Sequence, residues 1–515
     1  MSNQNLGEVN EQSGLHRSLS NRHLQLIAIG GAIGTGLFMG SGKTISLAGP
    51  SILFIYMLIG LMVFFVMRAL GELLLSNLNY KSFIDLSTDL IGPWAGYFVG
   101  WTYWLCWVTI GIADLSAIIY YLEFFNGGQS FTPLGGLLIS TVAIAFVLGL
   151  NLVTVKLFGE MEFWFAMVKI TAIIVLILVG LWMIFTGFTN TSGTVASVSN
   201  LWTHGGMFPK GFEGFLAGFQ IAIFAFVGVE LVGTTAAETQ DPQRNLPKAI
   251  NSIPIRIIIF YVLALFVVMS VTPWDQINPK VSPFVNIFSQ AGIASAAIIM
   301  NLVVLSSVMS SMNSGVFSTS RMLFGLSTDK QAPRLFAGLS KAAVPANALI
   351  FSAICIFIGA MIQFVYKLQS GTNDEVTAFV LATTLSTILF ICVWIIIMWS
   401  YMNYRKRSPE LHEQSIFKLP GGVVTCWIVI IFFLCTIGVL ALDEDTRKSL
   451  IVSPIWFIIL IIACGQSGAL QLPSDPNHDK RAKYLLYKND ASQSQSSSDQ
   501  KDDDTQVENS TSSSQ

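Results

Sequence analysis

Apolar residues in this chain fall into runs of about 20, long enough to cross about 30 Å of hydrocarbon as a helix, separated by short polar stretches. The runs lie near 24–48, 50–75, 95–125, 133–155, 164–187, 213–237, 254–273, 284–326, 344–366, 376–402, 421–441 and 450–468. They predict about twelve transmembrane helices. The third and eighth are longer than a bilayer needs, so they are expected to tilt or to project beyond it. Two runs carry an internal fault. GGAIGTG (Gly30–Gly36) sits inside the first, and FAFVGVELVG (Phe224–Gly233) inside the sixth. A helix in lipid must satisfy its own backbone, so such glycine-rich stretches suit an unwound segment lining a cavity. Close helix packing through small residues is the competing explanation for one such run. Two of them, five spans apart, point to the binding site of a transporter.

Composition agrees with the membrane reading. Apolar residues make up 53% of the chain and charged ones 11%, where a soluble domain carries about a quarter charged. The first 23 residues are polar, and nothing resembles a cleavable signal peptide. The expected layout is a cytoplasmic segment over 1–23, the membrane domain over 24–468, and a Ser-, Gln- and Asp-rich disordered tail over 469–515. With the N-terminus inside, the inner loops collect Arg17, Arg22, Arg68, Lys81, Lys156, Arg244, Lys248, Arg256, Arg321 and the Arg405–Arg407 cluster. The outer side holds Lys43, Lys210, Lys280, Lys367, Arg447 and Lys448. This bias places both termini in the cytoplasm. The net charge of −2 offers no nucleic-acid surface. All six cysteines lie in apolar runs, with no disulfide framework and no metal-ligand spacing.

Four stretches carry a resemblance to a known family: NRHLQLIAIGGAIGTGLFMGSG (21–42), FGEMEFWFAMVKI (158–170), VELVGTTAAETQDP (229–242) and SSMNSGVFSTSRMLFGLS (310–327). They resemble the amino acid transporter family of the APC superfamily, over about residues 17–468. MGSGKTISLAGPS (39–51), MRALGELLLSNL (67–78), GPWAGYFVGWTYW (92–104) and INSIPIRII (250–258) place it nearest a branch carrying D-serine, D-alanine and glycine. The resemblance implies an all-α fold of five helices, five more in inverted topology and two peripheral ones, with helices one and six broken. It also implies a proton symporter in the bacterial cytoplasmic membrane that needs no cofactor, with L-alanine as a further candidate substrate. A parallel-repeat major facilitator fold would not account for breaks in the first and sixth spans.

In such a fold, backbone N–H groups at Ile33, Gly34, Thr35 and Gly36, beside a helix N-terminus, suit a carboxylate. Freed carbonyls around Phe224, Ala225 and Val227 suit an ammonium group. A zwitterionic amino acid satisfies both. Buried ionisable residues are functional suspects in a membrane. The resemblance assigns Lys169, Glu230 and Glu238 to proton coupling or substrate binding and draws Asp114 into the same path. Snorkelling or static pairing of Lys169, a structural pair or hydrated cavity for Asp114, and a gating or capping place for Glu238 are the alternatives. Glu160 and Glu162 are expected as an inner-face gate or ion pair, and Ser310, Ser311, Asn313 and Ser314 as a polar stripe on the eighth span. No nucleotide-binding or acyl-transfer motif appears, which argues against an ATP-driven pump or an enzyme. An exchanger using the same site and a non-transporting amino acid sensor are the rival functions.

Overall fold

A computed structural model describes residues 33–467, apart from Asn79, Lys81, Thr154, 235–240, Lys280, Ile293, 372–374 and Asp443. The N-terminal segment, the first part of the first run, Glu238 and the C-terminal tail therefore lie outside the described residues. Among those described, the fold is helical, with one isolated bridge between Thr189 and Val195 in a loop. Among the described residues, eleven stretches are long and apolar enough to cross a membrane. The first, Gly36–Ser76, has 41 residues and would reach about 60 Å as a straight helix, twice the hydrocarbon thickness. It is divided at Gly49, where φ 62° and ψ −148° turn the chain, and at the short 3₁₀ turn Gly49–Ser51. The turn separates the described end of the first apolar run from the helix Ile52–Ser76 of the second.

The membrane helices are α1 (Ser41–Ala48), α2 (Ile52–Ser76), α3 (Pro93–Glu123), α4 (Pro133–Val153), α5 (Val155–Thr186) and α6 (Gly211–Ala222). They continue as α7 (Ala264–Val271), which is the last part of the spanning stretch Pro242–Val271, α8 (Ala294–Thr328), α9 (Ala346–Ser370), α10 (Glu375–Arg407), α11 (Gly422–Val439) and α12 (Glu444–Ser467). Several boundaries differ from the apolar runs, two of them for a visible reason. The run 284–326 is not one long helix: Pro283–Gln290 ends at Ala291, Gly292 turns the chain with φ 73°, and α8 follows. Helix α5 starts nine residues before the run at 164. Hydropathy trims it at Glu160 and Glu162, but buried hydrogen bonds to Glu162 let the helix continue.

Burial sorts the spans into a centre and a periphery. The windows of Gly211–Thr234, Pro93–Asn126 and Thr377–Arg407 are 83%, 78% and 72% buried, against 33% for Gly422–Val439 and 22% for Thr446–Gly465. The faulted sixth span is the most enclosed of all, so its polar backbone is kept from lipid as the membrane requires. Around it Tyr103, Trp107, Phe390 and Trp394 form an aromatic cluster with ring centroids 5.5–6.2 Å apart. Close approach is made possible by glycines such as Gly315, where a Cβ would stand 2.7 Å from the Trp107 ring. Large apolar side chains such as Leu138, Trp164, Leu178 and Val424 are exposed on the outside, as lipid-facing residues are.

Candidate functional site

The second interruption is present in the backbone, as is the described end of the first, from Ile33 onward. At the first, Ile33 and Gly34 bend, Thr35 opens a helix, and a π-turn over Gly36–Gly40 leads into α1. At the second, α6 stops at Ala222 and a 3₁₀ turn runs over Ile223–Phe226. Val227 is then extended, and Gly228 takes φ 100°, a conformation open to glycine, before helix resumes at Leu231–Thr234. The two breaks touch. A Cβ on Gly36 would lie 2.6 Å from Ala225 Cα and 2.8 Å from Ala225 N, so no side chain fits there without moving the sixth span.

Between the breaks lies a small cavity. Gly34, Thr35, Gly36, Phe224, Ala225 and Val227 line it, joined by Trp107 and Ile110 from α3 and Ser311 and Ser314 from α8. Six of the expected binding residues thus converge. Ile33 stands beside them, its carbonyl accepting from Ser307 Oγ at 3.2 Å. The helix that starts at Thr35 presents first-turn N–H groups and the positive end of its dipole toward this space. The carbonyls across it are less free than the sequence suggests. Phe224 O accepts from Val227 N–H at 3.2 Å, and Ala225 O accepts from the Tyr261 hydroxyl at 2.8 Å. Each keeps a second lone pair for a ligand.

The buried charges sit just behind this lining. Asp114 accepts from Thr35 Oγ1 at 2.6 Å and faces Ser311, so it holds two lining residues without lining the cavity itself. Glu230 turns its carboxylate back on its own break. It accepts from Gly228 N–H at 3.2 and 3.1 Å and from the Tyr103 hydroxyl at 3.2 Å, fastening the unwound segment to α3. Lys169 is fully buried and donates to Ser310 Oγ at 2.9 Å. Ser310 in turn donates to Glu162 Oε2 at 2.7 Å, and Asn313 Nδ2 donates to Glu162 Oε1 at 2.7 Å. Asn151 of α4 donates to Asn313 Oδ1 at 2.8 Å.

This network shows what the reading of the sequence missed. Of the two places expected for Glu162, an inner-face gate or an ion pair, the structure shows a side chain 1% exposed that shares a buried chain with Lys169. Its spacing carried the signal, because residues seven apart return to the same helix face. Ser310 and Asn313 belong to the same chain, Ser311 faces the cavity, and Ser314 lines the cavity while also reaching Glu162. Tyr103, Trp107, Asn151 and Tyr261 had no distinguishing pattern. Among the described residues no group of three or more His, Cys, Asp or Glu side chains converges as metal ligands would.

Comparison with known proteins places this architecture. The profile of the family described as amino acid permease matches residues 23–466. The D-serine/D-alanine/glycine transporter of Escherichia coli K12 is 60% identical over 450 residues, 87% of this chain and 93% of that protein. The amino-acid permease AapA of Bacillus subtilis is 49% identical over 452 residues, 88% of this chain and 95% of that protein. The chain belongs to the amino acid permease family.

Proposed function

We propose that this amino acid permease imports small neutral amino acids (glycine, D-alanine and D-serine, with L-alanine accepted) together with a proton. It works as a carrier rather than an enzyme, in the cytoplasmic membrane with both termini inside. The observation that carries the reading is the meeting of two broken spans at Gly36 and Ala225 around a small cavity. Helix-start N–H groups on one wall suit a carboxylate, and backbone carbonyls on the other suit an ammonium group. Among the described residues no lining side chain is charged, so a net charge on the substrate would be desolvated without a partner. The uncharged lining and limited volume favour glycine and three-carbon amino acids over lysine or tryptophan. The name of the Escherichia coli relative points to the same substrates.

Lys169 is the group assigned to proton coupling. It is buried, faces Glu162 and Asp114, and lies one side chain away from the helix that lines the cavity. The test is uptake of labelled glycine into proteoliposomes under an imposed pH gradient, with competition by D- and L-amino acids. The expected result is gradient-driven accumulation blocked by D-alanine and D-serine and untouched by lysine or tryptophan. Exchange without any response to the pH gradient would mark an exchanger, and binding without uptake a sensor.

A further inference from the structure

The polar chain beginning at Lys169 has a direction. Lys169 Nζ donates to Ser310 Oγ, and the same hydroxyl donates onward to Glu162 Oε2, at 2.9 and 2.7 Å. An oxygen that accepts on one side and donates on the other is the element a proton relay needs. The far end is fixed as well, because Asn313 holds the second oxygen of Glu162 and is itself held by Asn151. Lys169, Glu162, Ser310 and Asn313 are each no more than 1% exposed. Among the described residues, charged groups facing Lys169 include Glu162 on its own helix and Asp114 on α3. Helices α8 and α4 bring neutral Ser310, Asn313 and Asn151 to the chain. Glu162 lies seven residues before Lys169, about 10 Å nearer the start of α5, which is the inner end in the orientation proposed above.

We propose that Glu162 is the internal proton acceptor of Lys169, reached through the Ser310 hydroxyl, and delivers the coupled proton toward the cytoplasm. This deepens the reading of Lys169 as the coupling group and rests on it. In the step, an Nζ–H bond of the Lys169 ammonium breaks as an O–H bond forms at Ser310 Oγ. The original Ser310 proton moves to Glu162 Oε2. An ammonium and a carboxylate become a neutral amine and a neutral carboxylic acid, and no net charge enters or leaves the buried cluster. The transfer thereby avoids stranding an isolated charge in a dry interior. Release of the proton from Glu162 to inner-side water leaves a carboxylate still held by the Ser310 hydroxyl and the Asn313 amide.

The test uses the full-length protein in proteoliposomes with labelled glycine, comparing accumulation driven by a pH gradient with counterflow, across a range of external pH. Ser310→Ala and Glu162→Gln are expected to lower accumulation about tenfold or more relative to their own counterflow. Ser310→Thr and Glu162→Asp are expected to restore it, the latter with a displaced pH profile. A purely structural role would lower both activities together. An unchanged ratio and pH profile in Ser310→Ala and Glu162→Gln overturns the proposal. If Glu162→Gln does not reach the membrane, Ser310→Ala decides alone, since it removes a single oxygen. Lys169→Ala separates the two levels of the argument. Full accumulation in that variant overturns the coupling reading and the relay with it. Its loss beside a normal Ser310→Ala overturns the relay only.

Discussion

Gly36 and Ala225 meet backbone to backbone, each at the break of its own span. The hydrogen at the Gly36 Cα occupies the place where a Cβ would come within 2.6 Å of Ala225 Cα. The contact joins the two walls of the cavity and sets their separation.

Substitution at Gly36 therefore acts on the site and not on membrane insertion. Gly36→Val is expected to abolish measurable uptake while the protein reaches the membrane in normal amount, because its branched Cβ must displace the Ala225 backbone. Gly36→Ala should retain more activity than Gly36→Val. Uptake by a well-inserted Gly36→Val protein at the wild-type rate would disprove the close contact.

Thr35 and Asp114 tie the first break to α3 through one hydrogen bond of 2.6 Å. Thr35→Val keeps the shape and removes the donor, leaving a buried carboxylate oxygen short of a partner at a cost of about 2 kcal/mol. A matching loss of substrate affinity, measured by glycine binding to the purified protein, is expected. Thr35→Ser should restore most of it.

Lys169 and Glu230 are predicted to differ in kind. Lys169→Ala should abolish gradient-driven accumulation yet keep substrate exchange, since exchange does not require the empty carrier to return. Glu230→Gln should lower both, because Glu230 accepts from Gly228 N–H and from Tyr103 at the break itself. Counterflow and gradient-driven uptake of the two variants, side by side, check this. Wild-type accumulation in both would move the coupling group to Asp114 or Glu238.

The buried ion pair of Lys367, at the end of α9, with Glu375, at the start of α10, links two helices outside the site. Glu375→Ala leaves the Lys367 ammonium without its carboxylate and should destabilise the protein by about 3 kcal/mol, read as a lower midpoint in thermal unfolding. Lys367→Met combined with Glu375→Leu should recover most of the loss. Transport per folded molecule should not change.

Much of this protein is legible in one dimension. Segment length and hydropathy count the spans, because the bilayer imposes one fixed thickness on every crossing. The two glycine-rich faults mark the breaks, because unwound backbone at membrane depth needs both conformational freedom and a sheltered place. Rare charged residues inside apolar runs announce Asp114, Lys169 and Glu230 for the same reason of cost. Hydropathy misreads the same property at Glu162 and at 284–326. It scores each residue against lipid and cannot know that Glu162 has Ser310 and Asn313 waiting, or that Gly292 turns the chain inside an apolar run. Only the fold decides which partners meet. It brings Gly36 against Ala225, turns Glu230 onto its own backbone, engages one lone pair of Ala225 O with Tyr261, and threads Lys169 to Glu162 through a serine 141 residues away from the lysine. Contacts between distant segments depend on helix rotation and separation, and those follow from how whole helices pack together rather than from any local pattern of residues.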